Sequence, residues 1–264
     1  MSSAPAVVVE RRDDGVAVIT LNRPAARNAV NVDLAAALVD AMAAARDAHC
    51  IVLTGADPAF CAGLDLRNLG TDKLADLPPF IGAVAASTVP VIAAVNGPAV
   101  TGGFEVALAC DFIVASQRAA FADTHLRVGV YPGPVLVDLP RRVGMAMARE
   151  MSMTGNFVDA DTALRIGLAN HVVPHDDLLP FALGLASAIA EQSPVMIATM
   201  RRDWDETGAL PVHEAHRRHR ATSLELGFAG VDSDTLRANM SAVVARAHRQ
   251  RASSTDRCAV AEPA

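Results

Sequence analysis

Two short β-branched runs, residues 7–10 and 16–21, flank the turn Asp13-Asp14-Gly15, which predicts a hairpin at the start of the chain. Asn31 precedes Leu34, Leu38 and Met42, an i, i+4, i+8 spacing that predicts a helix capped by Asn31 and reaching about Asp47. Residues 51–53 and 91–95 are apolar throughout, as strands covered on both faces are. Between them lie a loop at 54–63 and a predicted helix at 78–87. Asn96-Gly97-Pro98 reads as a turn, 102–109 as a helix and 112–115 as a further strand. Buried strands alternating with helices predict an α/β core. From Gly133 onward helical spacing dominates, punctuated by Gly144, Gly155, Gly167 and Pro174, with one short strand near 170–173. Helices are predicted at 176–191, 194–206, 212–226 and 233–248. Past Gln250 the chain is polar and aperiodic and is expected to be disordered. The expected organisation is one core over residues 1–195, a helical region over 196–250 and a tail over 251–264.

Composition narrows the function classes. Of 264 residues 52% are hydrophobic and only 4% aromatic, so the core must be built from Ala, Val and Leu. That apolar content and a net charge of −6 exclude a chain disordered throughout. The acidic balance argues against a nucleic-acid partner. A positive segment followed by an apolar one is missing from the first residues, and Pro90 interrupts the longest apolar stretch, so a cytoplasmic protein without membrane contact is expected. Cys50, Cys61, Cys110 and Cys258 have no CxxC spacing, which fits a reduced compartment and no metal. All basic residues but Lys73 are arginines, so an anionic ligand would be met by guanidinium groups.

Two glycine-containing loops each follow a buried strand. Phe60-Cys61-Ala62-Gly63-Leu64-Asp65-Leu66 comes after the strand at 51–53, and Asn96 to Glu105, containing Gly102-Gly103, comes after the strand at 91–95. Small residues let backbone approach a ligand, and amides at a helix start lack partners. Two such amides aimed at one point would hold a developing oxyanion. An ordinary strand-to-helix turn has the same composition, so both readings stand on pattern alone.

Five segments occur in order: Leu21-Asn22-Arg23-Pro24, Ala62-Gly63-Leu64-Asp65-Leu66, residues 90–98, Gly102-Gly103-Phe104-Glu105 and Gly129-Val130-Tyr131-Pro132-Gly133. In order and spacing they resemble the crotonase (enoyl-CoA hydratase/isomerase) superfamily, especially its actinobacterial enoyl-CoA hydratase-like members. The resemblance spans residues 7–248. It implies an α/β fold, a crotonase-like ββα spiral core with two sheets, and a C-terminal helical region used for trimerisation. An acyl-CoA thioester is then the ligand, coenzyme A entering with the substrate and no separate cofactor, in a homotrimer or dimer of trimers. By the same resemblance Leu64 and Gly102 supply the oxyanion-hole amides. Ala62, Leu64, Asp65, Leu66, Arg67 and Gly102 line the path of the substrate and its CoA, with Arg23 near the nucleotide end.

Hydratases of this family use two glutamates. Glu105 matches the first, and its place in a helix N-terminal turn is expected to favour the carboxylate. The second position holds His125, with Asp123 two residues earlier. Were that stretch extended, the two side chains would start about 6–7 Å apart on one face, too far for Asp123 to replace the missing group. Imidazole can serve as an acid or base; equally, His125 could only hydrogen-bond Glu105 or Asp123. The alternatives to hydration are therefore isomerisation, thioester hydrolysis, or acyl-CoA binding without turnover. Asp138 is a further candidate acid, because some superfamily members carry a carboxylate along this stretch.

Three other features have plainer readings. His213, His216 and His219 fan too widely around a helix to grip one zinc, and with Arg217, Arg218 and Arg220 they suit a solvated or inter-subunit face. Cys61 has no adjacent histidine and reads as a buried filler. Tyr131 beside Pro132-Gly133 is expected to pack, with substrate contact the alternative.

Overall fold

A computed structural model of the protein describes residues 4–65, 67, 77–226 and 233–259. β1 (Val7–Arg11) and β2 (Val16–Leu21) form the antiparallel hairpin, pairing Val7 with Leu21 and Arg11 with Ala17. α1 (Val32–Ala44) follows, its first turn closed by Asn31, whose Oδ1 accepts the Leu34 N–H at 3.0 Å. The chain then returns through β3 (Cys50–Gly55), α2 (Phe80–Ala85) and β4 (Val91–Val95), with β3 parallel to β2 and β4 parallel to β3. After β5 (Pro98–Val100) and α3 (Gly102–Leu108), β6 (Phe112–Ser116) lies parallel beside β4.

β7 (Ala120–Ala122) precedes α4 (Val135–Val143), α5 (Met145–Thr154), β8 (Val158–Asp159) and α6 (Ala160–Arg165). β9 (His171–Val173) closes a six-stranded sheet of order β1-β2-β3-β4-β6-β9, while β5, β7 and β8 make a separate three-stranded sheet. That second sheet left no periodicity to read, because its strands are two or three residues long. Then come α7 (Leu178–Ala190), α8 (Pro194–Thr207), α9 (Val212–Leu226) and α10 (Ser233–Ala259).

The unbroken apolar runs are explained by what covers the large sheet. Successive residues of a strand face opposite ways. Ala17, Ile19, Ile51, Leu53, Ala93 and Ile113 join the main core with α1, α2 and α3. Their neighbours Val16, Val18, Val52, Ile92, Ala94 and Val114 pack under α7 through Leu178, Ala182 and Ala186. Along the inner strands β3 and β4 neither face meets water, so neither needs polar residues.

The chain divides into two compact units, Met1–Met200 and Arg201–Ala264, with the division inside α8. In the second unit His219 Nδ1 lies 2.6 Å from Asp203 Oδ2, and Arg218 Nε donates to Glu206 at 2.9 Å. One expectation changes here: α10 continues past Gln250 to Ala259, since no Gly or Pro interrupts residues 251–259. Among the described residues no single helix is long and apolar enough to cross a membrane.

Candidate active site

The first glycine loop is laced between two neighbours. Cys61 N–H donates to Pro98 O at 3.1 Å and Val100 N–H to Cys61 O at 3.0 Å, joining the loop to β5. On its other side Val30 N–H bonds Gly63 O at 2.7 Å and Asp65 N–H bonds Val30 O at 2.8 Å. In this parallel bridge Val30 uses the groups flanking Leu64, so the Leu64 N–H itself is turned away from Val30. Wholly buried Asn28 tacks the preceding stretch down, donating to Ala56 O at 2.8 Å and Ala59 O at 2.7 Å.

The second loop meets the first edge to edge. A Cβ on Gly103 would stand 2.2 Å from Cys61 O, so only glycine allows this approach of backbone to backbone. Thr101, at φ +47°, occupies a conformation uncommon for a β-branched residue and delivers the chain into α3. Gly102 is the first residue of that helix, where an amide has no intrahelical acceptor. A Cβ there would sit 3.9 Å from Leu64 Cδ2, which places the Gly102 and Leu64 positions side by side. A cavity of about 210 Å³ opens beside them, lined by Ala62, Leu64, Thr101, Thr124 and His125 among others.

Glu105 points inward from α3. Its Oε1 accepts the Val135 N–H at 3.2 Å. Gly133 lies so near that a Cβ on it would be 2.9 Å from the same oxygen. Residues 125–128 form a 3-10 turn instead of continuing β7 as a strand, and this corrects the extended reading. The turn brings the His125 ring back onto its own neighbour: Nδ1 is 2.6 Å from Asp123 Oδ1. On the other side of the ring, Nε2 is 3.8 Å from Glu105 Oε2. That gap exceeds a direct hydrogen bond, yet one water or one reacting carbon can touch both groups. All three side chains are buried.

The charges follow from this packing. Burial raises the Glu105 pKa above its ordinary value and outweighs the lowering by the Val135 N–H and by His125. The low value expected from the helix dipole is thus overturned, because loss of solvent dominates in a buried first turn. For His125 burial favours the neutral ring, but the Asp123 hydrogen bond and the charges of Glu105 and Asp123 win, and its pKa is raised. Burial opposes ionisation of Asp123 too, yet bonding to His125 holds its pKa below the ordinary value. These shifts favour an ionised Asp123 beside an imidazolium, while burial draws Glu105 toward its protonated form.

The other expected residues fall around this centre. Asp65 is buried, with Arg67 Nη2 at 2.7 Å and Arg23 Nη2 at 3.3 Å from its Oδ2. The hydrogen bond from Arg67 outweighs the penalty of burial and, with Arg23, brings the Asp65 pKa down to about 2. Two guanidiniums on one carboxylate leave an excess positive charge, and the Arg67 side chain is 74% exposed. Leu66 lies outside the described residues. Asp138 on α4 is not among the groups acting on Glu105 or His125, and its own pKa is raised by burial. Cys61 is buried and donates to Asn28 O at 3.1 Å, its thiol pushed by burial up to about 12. Tyr131 is 83% exposed at the rim of a second, apolar cavity of about 190 Å³ that also touches Val135. Among the described residues no group of three or more His, Cys, Asp or Glu is placed to hold a metal ion.

Sequence pattern gave no sign of Val135 as a partner of Glu105, because a backbone donor carries no residue signature. Gly133 did carry one, standing in the Gly129–Gly133 motif, though its contact with Glu105 needed the fold.

Known proteins share this architecture and much of the sequence. The family model described as enoyl-CoA hydratase/isomerase matches residues 11–228. The enoyl-CoA hydratase EchA19 of Mycobacterium tuberculosis is 35% identical over 231 residues, covering 82% of this chain and 86% of its own. A Rhizobium meliloti protein described as a probable enoyl-CoA hydratase is 44% identical over 188 residues, covering 67% of this chain and 73% of its own. The crystal structure of an enoyl-CoA hydratase subunit from Geobacillus kaustophilus superimposes with a TM-score of 0.80 at 31% identity, covering 91% of this chain and 95% of that one.

Proposed function

This chain belongs to the enoyl-CoA hydratase/isomerase family, and from that premise we propose that it adds water across the double bond of a 2-enoyl-CoA thioester. The Leu64 and Gly102 amides receive the thioester carbonyl. Each such donor contributes about 3–4 kcal/mol once negative charge develops on the oxygen. Glu105, ionised, takes a proton from water as the water oxygen bonds to the β-carbon. The π electrons move to form the enolate, which collapses as the α-carbon takes a proton from the His125 imidazolium. Arg23, Ala62, Asp65 and Arg67 line the CoA side, where the excess guanidinium charge faces phosphate. Coenzyme A arrives with the substrate, and no other cofactor enters this chemistry. We place the protein in the cytoplasm as a homotrimer or a dimer of trimers.

One observation carries this reading: the 3.8 Å between Glu105 Oε2 and His125 Nε2, a base and an acid spaced for one reacting centre. Loss of the enoyl-thioester absorbance of crotonyl-CoA on mixing with the purified protein tests it, with Glu105→Gln as control. Hydration abolished by that substitution is the expected result. Acyl-CoA binding without loss of the signal would make the protein a binder, and free CoA release would make it a thioester hydrolase.

A further inference from the structure

Granted the hydratase chemistry above, on which this inference rests, we propose that Asp123 is a positioning residue that fixes the His125 ring so that its charged Nε2–H faces the reacting α-carbon. Asp123 Oδ1 is 2.6 Å from His125 Nδ1 and also receives the His125 backbone N–H at 3.4 Å. A single carboxylate therefore holds both the ring and the peptide that carries it. An ionised carboxylate only accepts hydrogen bonds, so Nδ1 must keep its proton and Nε2 becomes the position that gains and loses one. Nε2 is the atom 3.8 Å from Glu105 Oε2, and His125 lines the cavity beside Leu64 and Thr101.

Asp123 is 1% exposed, so water does not compete for the contact, and besides His125 the Ser152 side chain acts on its carboxylate. A carboxylate buried this deeply is costly. Its retention is accounted for by the charge it supplies to the ring.

The charge also decides whether His125 can act as an acid at all. Burial alone favours neutral imidazole; the charged groups that reverse this are Asp123 on its own segment and Glu105 on α3. From α5, Ser152 stands near Asp123 and does not titrate. In the reaction the Nε2–H bond breaks as the α-carbon–H bond forms from the enolate electron pair, and the N–H electron pair stays on the ring. His125 is left neutral, with Nδ1–H still on Asp123. Glu105, which took the proton from water, returns it to Nε2 when product leaves, and both groups are reset.

The test compares the full chain with Asp123→Asn, His125→Gln and the double variant, by crotonyl-CoA hydration across pH and by NMR titration of the His125 ring nitrogens. Asp123→Asn keeps the shape and an acceptor oxygen but removes the charge. It is expected to lower kcat about 100-fold, with KM within about twofold. The His125 titration and the basic limb of the kcat profile should both move to lower pH. In the His125→Gln background the same substitution should cost less than about threefold, since a residue acting through His125 has nothing left to act on. An equal cost in both backgrounds, or a basic limb that stays in place, overturns the proposal. If Asp123→Asn does not fold, the unaltered chain decides: His125 must hold its proton on Nδ1 and titrate at Nε2, and the opposite tautomer overturns it. If the unaltered chain leaves 2-enoyl-CoA unchanged, the hydratase reading falls separately, and a His125 titration unmoved by Asp123→Asn overturns the pairing as well.

Discussion

Gly133→Ala reaches the chemistry without touching a titratable group. Gly133 does not require a positive φ, so alanine is compatible with its backbone and the cost is steric. An added Cβ stands 2.9 Å from Glu105 Oε1, while ordinary contact begins at 3.4 Å, so the carboxylate must retreat by the difference, 3.4 − 2.9 = 0.5 Å. The Val135 N–H now donates to that oxygen at 3.2 Å, and the retreat weakens a bond already long. A displacement near 1 Å at a reacting group can cost about 100-fold, so roughly 10-fold in kcat is expected for half that distance. Overpacking of this size costs about 1 kcal/mol of stability. Because the Val135 bond lowers the Glu105 pKa, weakening it should also carry the acidic limb of the kcat profile to higher pH. Steady-state hydration of crotonyl-CoA across pH, alongside thermal melts, measures all three effects. A kcat within twofold of the unaltered protein, with an unmoved acidic limb, would refute the placement of Glu105 as the base.

The remaining predictions use the same site. With Glu105 ionised and His125 protonated as the active form, kcat should be bell-shaped in pH. Both limbs lie above the ordinary carboxylate and imidazole values of 4.5 and 6.5, because both pKa values are raised. Both groups bind protons more tightly in the folded chain, so their linked stability is present below the unfolded values and lost as pH rises through the folded ones; melts across pH check this sign. Glu105→Gln should lower kcat about 10²–10⁴-fold while the melting temperature at neutral pH stays level or rises, since the folded chain no longer holds a carboxylate that burial disfavours. His125→Glu, the residue the family carries, should perform worse than histidine here: carboxylates about 4 Å apart repel by about 4 kcal/mol at an effective dielectric of 20. Combining it with Asp123→Asn should recover activity, and a single variant faster than the unaltered protein would count against the Asp123 contact. Gly103→Ala sets a Cβ 2.2 Å from a backbone oxygen that cannot yield, so misfolding or a loss of several degrees in Tm is expected, read by circular dichroism.

How far the sequence could be read depended on what each feature needs in order to be visible. The inner strands of the large sheet were legible because both faces are buried, which leaves runs such as Val91–Val95 without a polar residue. The Asn31 cap was legible because the side chain itself makes the bond. β5, β7 and β8 were not, being too short for any period to show. Glu105 and His125 could be picked out, but the turn at 125–128 could not, and it converts Asp123 from a neighbour along a strand into a hydrogen-bonded partner. The direction of the Glu105 pKa is hidden from the sequence for a related reason: the helix-end field is visible in a sequence, whereas the depth of burial depends on Gly133, Val135 and the packing around them.

The most direct test of the central claim is the fate of isotopes when crotonyl-CoA is incubated with the purified protein in deuterated, oxygen-18-enriched water. The account predicts a 3-hydroxyacyl-CoA carrying one solvent oxygen at the β-carbon and one deuterium at the α-carbon. Formation of that product should be lost in Glu105→Gln and strongly slowed in His125→Gln. Oxygen-18 in a released carboxylate, a deuterated but unhydrated thioester, or unchanged substrate bound at stoichiometric levels would contradict it.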